Sequence, residues 1–459
     1  MLRRCFLRAL AAVPAAGLVP FAWMREAVAQ QRGAMFQADP FKPEEANSPL
    51  GEGKGIHPGR VAWTRDAKAT TWDGTTGFWW EDAYNDQKIV NGMSSRLLQG
   101  LTGSKNDKQA WDALFRSFNE THKLGKAGYR PGETVAIKLN CNQDRTPEWG
   151  QASTAPSGPG RGPRPPLNGL PSPHAVYSLV ADLIEAGGVR GEDILIYDVA
   201  ASRNVGNPIF AKIRANSNPQ FQAVKFLVGA DYKMGGRMFA EHDAGNPVRF
   251  SKAGVPTAYL AKQVTQAKYL INMALMRPHG MAGVTLTGKN HFGSVYFPND
   301  GGWTPAPLHP NVLRTQPMGA YNALVDLTGH RHLGGKTMLF VLDGLYSAAH
   351  NEGNVMRFAS FDNHWASSLL MSQDPVAIDS VALDILRNEP NAVEVRGHAD
   401  NYLHEEALAA KPPSGTVYNP DGSGTLASLG AHEHWNNASE RKYSRNLGRK
   451  QGIELVAWV

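Results

Sequence analysis

Between Arg277 and Gly293 the chain sets Arg277, His279, Lys289, Asn290 and His291 among four glycines. Glycine lets backbone approach a ligand closely, so a dense group of ionisable side chains on such backbone reads as a site. Imidazoles titrate near about 6.5 and can move protons at neutral pH. His279, His291 and Lys289 are therefore the candidate catalytic residues. Arg277 suits a carboxylate or phosphate by bidentate pairing, Lys289 can add a point charge, and Asn290 can add hydrogen bonds. Two histidines facing each other beside Asp198 or Asp343 could also hold a divalent metal. The plainer account has the lysine paired with a buried carboxylate and the histidines bonded to backbone.

The elements around this stretch follow from hydrophobic spacing. The apolar runs Thr134–Leu139, Ile194–Tyr197, Val224–Val228, Tyr269–Met273 and Thr337–Leu342 read as buried strands. Ser172 and Pro173 open a helix with apolar residues at 175, 176, 179, 180, 183 and 184, stopped by Gly187-Gly188. Pro375–Leu386 reads as another helix. Strand, crossover helix and strand at this spacing predict an α/β fold with a mostly parallel sheet, an extended N-terminal arm and an irregular C-terminal segment. Asn140, Asp198, Asn272 and Asp343 then fall at the carboxyl ends of strands, the edge where open parallel sheets bind ligands. Asn140, Asn142 and Asn272 join the substrate-binding candidates, and Asp198 and Asp343 join the metal candidates. Asn and Asp also favour turns for their own reasons, which explains any one of them singly.

The N-terminus bears on where such a site works. Arg3-Arg4 precedes an apolar stretch from Ala9 to Met24, broken by Pro14 and Pro20, and Ala27-Val28-Ala29 supplies a small-x-small cleavage site. Residues 1–29 resemble a twin-arginine export signal, which implies export of a folded protein to the periplasm, Gln30 as the first mature residue and the twin-arginine export machinery as a partner. The apolar run is too short and too rich in Ala, Gly and Pro for a membrane span, so none is expected in the mature chain. The signal carries half of the net charge of +6. No basic run or aromatic stripe suggests nucleic acid. Cys141 alone remains after cleavage, which excludes an internal disulfide and, with no CxxC, leaves no iron–sulfur cluster expected. Residues 30–125 read as an arm with a Trp-rich segment, holding four of the eleven tryptophans between Trp63 and Trp80, more suited to packing than to a sugar platform. The α/β domain spans 126–459. Gln143–Pro171 is a long loop rich in Pro, Gly and Arg.

Short motifs occur in this order: Ile56-His57-Pro58-Gly59-Arg60, Ile137-Lys138-Leu139-Asn140-Cys141-Asn142, Ser172-Pro173-His174, Lys289-Asn290-His291-Phe292-Gly293, Asp374-Pro375-Val376-Ala377-Ile378-Asp379, Leu403-His404-Glu405-Glu406 and His432-Glu433-His434-Trp435. In this the chain resembles the secreted branch of the bacterial family called domain of unknown function 362. The resemblance implies a fold without a reaction, and it marks Asp374 as a further metal or site candidate. A fainter resemblance, to the nickel-pincer lactate racemase family, rests on Pro171-Ser172-Pro173-His174 and on His279, Ala282, Gly283 and Lys289. It implies a covalent cofactor on Lys289 and an acid/base or metal-ligand role for His279. The chain departs from that pattern at Val199–Arg203, where no histidine stands, and His291 has no counterpart there. The pairs His330/His332 and His432/His434 lack further ligands at familiar metal spacing.

These readings lead to an exported protein of unknown reaction. The first expectation is a periplasmic enzyme that binds a small anionic substrate, with a divalent metal as an option and with His/Lys acid–base chemistry. The alternative is a non-catalytic ligand-binding or envelope-interaction protein.

Overall fold

A computed structural model describes residues 45–142, 144, 169–200, 205–229, 235–351 and 353–459. The expectations for the export signal, for most of the 143–171 loop and for Ser202 and Arg203 fall outside the described residues. A nine-stranded sheet is built from β1 (Arg60–Arg65), β2 (Val135–Lys138), β3 (Ile194–Asp198), β4 (Lys225–Val228), β5 (Met238–Phe239), β6 (Tyr269–Leu275), β7 (Thr337–Gly344), β8 (Ser368–Ser372) and β9 (Glu454–Trp458). The spatial order is β9-β1-β8-β7-β6-β2-β3-β4-β5. Only β8 runs antiparallel to its neighbours β7 and β1; the other adjacent pairs are parallel. The fold is the mixed α/β architecture that the spacing predicts.

The helices form where the caps say they should. α1 (Gln87–Thr102) starts on Asp86, whose side chain accepts from Ile89 N, and ends at Gly103 in the left-handed conformation, φ 72°. After α2 (Asp107–Thr121), α3 (Pro173–Glu185) begins with the Ser172 hydroxyl accepting from the amides of His174 and Ala175. One face of the sheet, including Ile137, Ile196, Ile271 and Val341, packs on Leu97, Trp111, Val176 and Leu179 of these helices. On the other face Ala274, Phe340 and Leu370 meet Val376, Val381 and Ile385 of α5 (Pro375–Arg387). Because both faces are covered, β2, β3, β6 and β7 are buried end to end and read as largely apolar runs in which Lys138 and Asn272 stand out.

Residues 60–121, set apart in sequence as arm and Trp-rich segment, supply a sheet strand and two of the covering helices. The reason is long-range pairing: β1 lies between β8 and β9, and Arg60 bonds Glu454 at 2.9 Å. Trp63 is a strand residue, Trp72 stacks on Trp365 with centroids 5.4 Å apart, and Trp79 leans on Tyr346 at 5.0 Å. Among the described residues no helix is long and apolar enough to cross a membrane.

Candidate functional site

Strands β7, β6, β2 and β3 are consecutive and parallel, so their carboxyl ends share one edge. From the end of β6 rises a hairpin, Arg277–His279 against Gly283–Thr285, followed by α4 (Thr287–Asn290) and a 3-10 turn over His291–Ser294. The glycine-rich stretch is thus mostly regular structure. Asn272 is also not a strand end: β6 continues to Leu275. A turn-favouring residue stays inside the strand because its carboxamide is fully used. Its Nδ2 donates to Thr287 O at 2.9 Å and to His291 Nε2 at 3.1 Å, and its Oδ1 accepts from Asn290 Nδ2 at 2.7 Å.

Strand register sets Lys138 beside Asn272. Lys138 and Asp198 are both inaccessible and 3.4 Å apart. Lys138 Nζ also donates to Leu139 O and, at 3.3 Å, to Asn290 Oδ1. Asp198 Oδ2 accepts from Cys141 N at 2.8 Å. Gly293 closes over this pair, and a Cβ there would run into both Asp198 Oδ1 and Lys138 Nζ. Lys138 was absent from the candidates drawn from sequence. A lysine in the buried run Val135–Leu139 was the available signal, since a buried charge requires a partner. His291 belongs to this inner layer. Burial, with the positive Lys138 next, pushes its pKa down to about 3. The amide donor of Asn272 makes Nε2 the acceptor, so the ring is neutral with its proton on Nδ1. His291 is thereby fixed as a neutral hydrogen-bond acceptor and is not poised to exchange protons at neutral pH.

The outer layer is the hairpin. His279 Nδ1 accepts from the amides of Met281 at 3.1 Å and Ala282 at 3.3 Å, which puts the proton of the neutral ring on Nε2. The turn itself is held from two sides. Gly280 N donates to Asn351 Oδ1 at 3.2 Å, and Arg314 Nε donates to Gly280 O at 2.8 Å while its Nη2 bonds Glu394 at 2.8 Å. Gly283 has φ 85° and no room for a Cβ beside Ala399. Arg277 is 1% exposed. It donates to Gly169 O and, at 3.3 Å, to Asn140 Oδ1, so it ties the start and the end of the β2–α3 connection to the hairpin. Asn142 bonds Asn351 O at 3.3 Å, which adds the segment after β7 to the same edge. Lys289 is nearly buried, with Nζ 3.6 Å from the Phe292 ring centroid. Asn351 and Arg314 had no motif to mark them.

The carboxylates expected as metal ligands have other work. Asp343 accepts from Ser172 N at 2.6 Å and Leu345 N at 3.1 Å, and burial pushes its pKa up to about 6. Asp374 accepts from four backbone amides: those of Val376 and Ala377, where it caps α5, and those of Lys54 and Ala431. Those bonds occupy the lone-pair directions an ion would need. Asp198 is committed to Lys138. Among the described residues no three His, Cys, Asp or Glu side chains are placed to hold a metal. The other histidine pairs are also engaged. His330 Nε2 bonds Pro247 O, His332 Nε2 bonds Asn246 Oδ1, His432 Nδ1 bonds Ser380 Oγ, and His434 Nδ1 bonds Asp384 Oδ1 at 2.6 Å.

Residues 164–384 match the family described as "Domain of unknown function (DUF362)", and the match supports membership of that family. The matched span holds every element of the carboxyl-edge site except β2 and the residues just after it. No curated protein matches the chain.

Proposed function

We propose that the chain is an exported enzyme that binds a small anionic substrate at the carboxyl edge of β2, β3, β6 and β7, with Lys289 exchanging protons with it and His279 orienting it through a hydrogen bond from Nε2–H. The observation that carries this reading is the orientation of His279. Two backbone amides lock its ring on a rigid hairpin at the edge where parallel sheets take ligands. Lys289 and Arg277 add positive charge on the same hairpin-helix unit. The resemblance to the lactate racemase family supports the same pair and adds a covalent group on Lys289 as a variant of the reading. The twin-arginine-like N-terminus supports work in the periplasm. A plain binding protein is the second reading, favoured by His279 and His291, whose rings are both held as hydrogen-bond acceptors.

Intact-mass and elemental analysis of protein from its own periplasm comes first. A chain beginning at Gln30 supports export, and added mass on Lys289 or a stoichiometric metal supports a cofactor enzyme. Small carboxylates and phosphates are then screened by thermal shift, with turnover followed by NMR. His279→Gln should keep ligand-induced stabilisation and lose turnover, and Lys289→Ala should lose both. Turnover undiminished in both variants would falsify the proposal, and binding without turnover in the wild type would move it to the second reading.

A further inference from the structure

We propose that Asp379, on α5, is the positioning residue for the turn that carries Lys289. The inference rests on the role given to Lys289 above. α4 is four residues long, and its N-cap residue, Leu286, has no side chain able to cap it. One turn fixes several backbone dihedrals for few hydrogen bonds and does not hold itself together. Asp379 supplies the cap from another helix. Its Oδ1 accepts from Thr287 N at 2.9 Å and Thr287 Oγ1 at 2.7 Å, and its Oδ2 accepts from Gly288 N at 3.0 Å. The remaining acceptor position on Oδ2 is filled by Tyr402 Oη at 2.9 Å, from α6 (Asn401–Ala407). Asp379 is fully buried. Gly288 fits the join: a Cβ there would lie 3.1 Å from the Tyr402 ring and 3.6 Å from Asp379 Oδ2.

The other end of the same turn is pinned to the sheet, through Asn290 to Asn272 and Lys138. Lys289 therefore sits between two anchors, one on α5 and one on β6 and β2. Loss of the Asp379 anchor lets the turn pivot on Asn290 and moves the ammonium. A core-stabilising role alone predicts a general loss of stability with no particular effect on Lys289. Asp374 provides the control. It caps the same helix, is equally buried and accepts from four amides, but none of them belongs to α4.

The test is native-state acetylation of the full chain with acetic anhydride across pH, read at Lys289 by peptide mass spectrometry. Asp379→Asn should change the Lys289 rate by about fivefold, the equivalent of one lost hydrogen bond, and displace its pH profile. Tyr402→Phe should do so to a smaller extent. Asp374→Asn, compared at an equal margin below its own melting temperature, should leave Lys289 unchanged. Equal Lys289 profiles in wild type and Asp379→Asn, or an equal change in Asp374→Asn, would overturn the proposal. If Asp379→Asn does not fold, Tyr402→Phe and Thr287→Val, which each remove one bond, decide it by the same measurement. Undiminished turnover in Lys289→Ala would sink the functional reading above and leave this result standing.

Discussion

His291, under the hairpin, and His434, in the C-terminal segment, are both almost inaccessible, yet one is neutral and the other charged. His291 faces the amide of Asn272 with the cation Lys138 nearby, and burial drives its pKa down to about 3. Burial opposes the charge on His434 too. There the hydrogen bond and charge of Asp384, with Asp400 3.8 Å from Nε2, raise the pKa to about 10. Arg387 in turn bonds Asp400 at 3.0 Å, and Tyr443 and the Trp435 amide complete Asp384. The C-terminal cluster is an alternating chain of charges that fastens residues 431–444 to α5 and α6. Under the hairpin Lys138 pairs with Asp198, and the imidazole is held by the side-chain amide of Asn272. The first arrangement fixes chain ends together, and the second fixes a neutral, oriented layer beneath a candidate site. Carboxylate neighbours decide between these outcomes; depth does not.

The comparison breaks most readily at its buried charges. Lys138→Met strands Asp198 without its cation and should cost about 3–5 kcal/mol, measured by chemical denaturation. The double variant Lys138→Met/Asp198→Asn should recover part of that loss. A double variant as unstable as the sum of its two single changes would mean that the pair is not coupled. Next in size is His434→Gln, expected to cost about 1.5–3 kcal/mol at pH 6 through loss of charged hydrogen bonds. The folded pKa of His434 lies above its unfolded value of about 6.5, so its contribution is complete below about pH 6.5 and drains away as pH rises toward 10. His434→Gln should be missing that slope in a thermal series from pH 6 to 10, and an unchanged slope would refute the charged assignment. His291 has the opposite sign. The unfolded chain takes up its proton first as pH falls below about 6.5, so the folded state loses stability on the acid side.

A smaller effect sharpens the point. Asn272→Asp keeps the shape and puts a carboxylate on His291. The imidazole should bind its proton at least about tenfold more tightly, seen as a shifted ring-carbon titration by NMR. No change there would mean that depth, and not the neighbour, sets the state of His291.

Much of the frame was legible. The runs at 134–139, 194–197, 269–273 and 337–342 are strands, and Ser172-Pro173 and Asp374-Pro375 open helices where the cap chemistry says. Local signals carry such elements: apolar period, an N-cap oxygen, a proline in the first turn. β1 and β9 were not legible, since each is a strand only through pairing with residues hundreds of positions away. The site divides in the same manner. Arg277, His279 and Lys289 stood out by type and glycine context. Lys138 carries a mark too, a charge within an apolar run. Asn351, Arg314 and Asp379 carry no local mark because their importance lies in whose backbone they hold.

The sequence alone determined the α/β class, the parallel core strands and the stretch where the ionisable groups collect, because each depends on spacing within one segment. Tertiary structure alone decided what those groups are. It made Asp374 a backbone knot, Arg277 a tie between segments, His291 a neutral acceptor and His434 a cation. Protonation and hydrogen-bond partners depend on neighbours that only folding brings together.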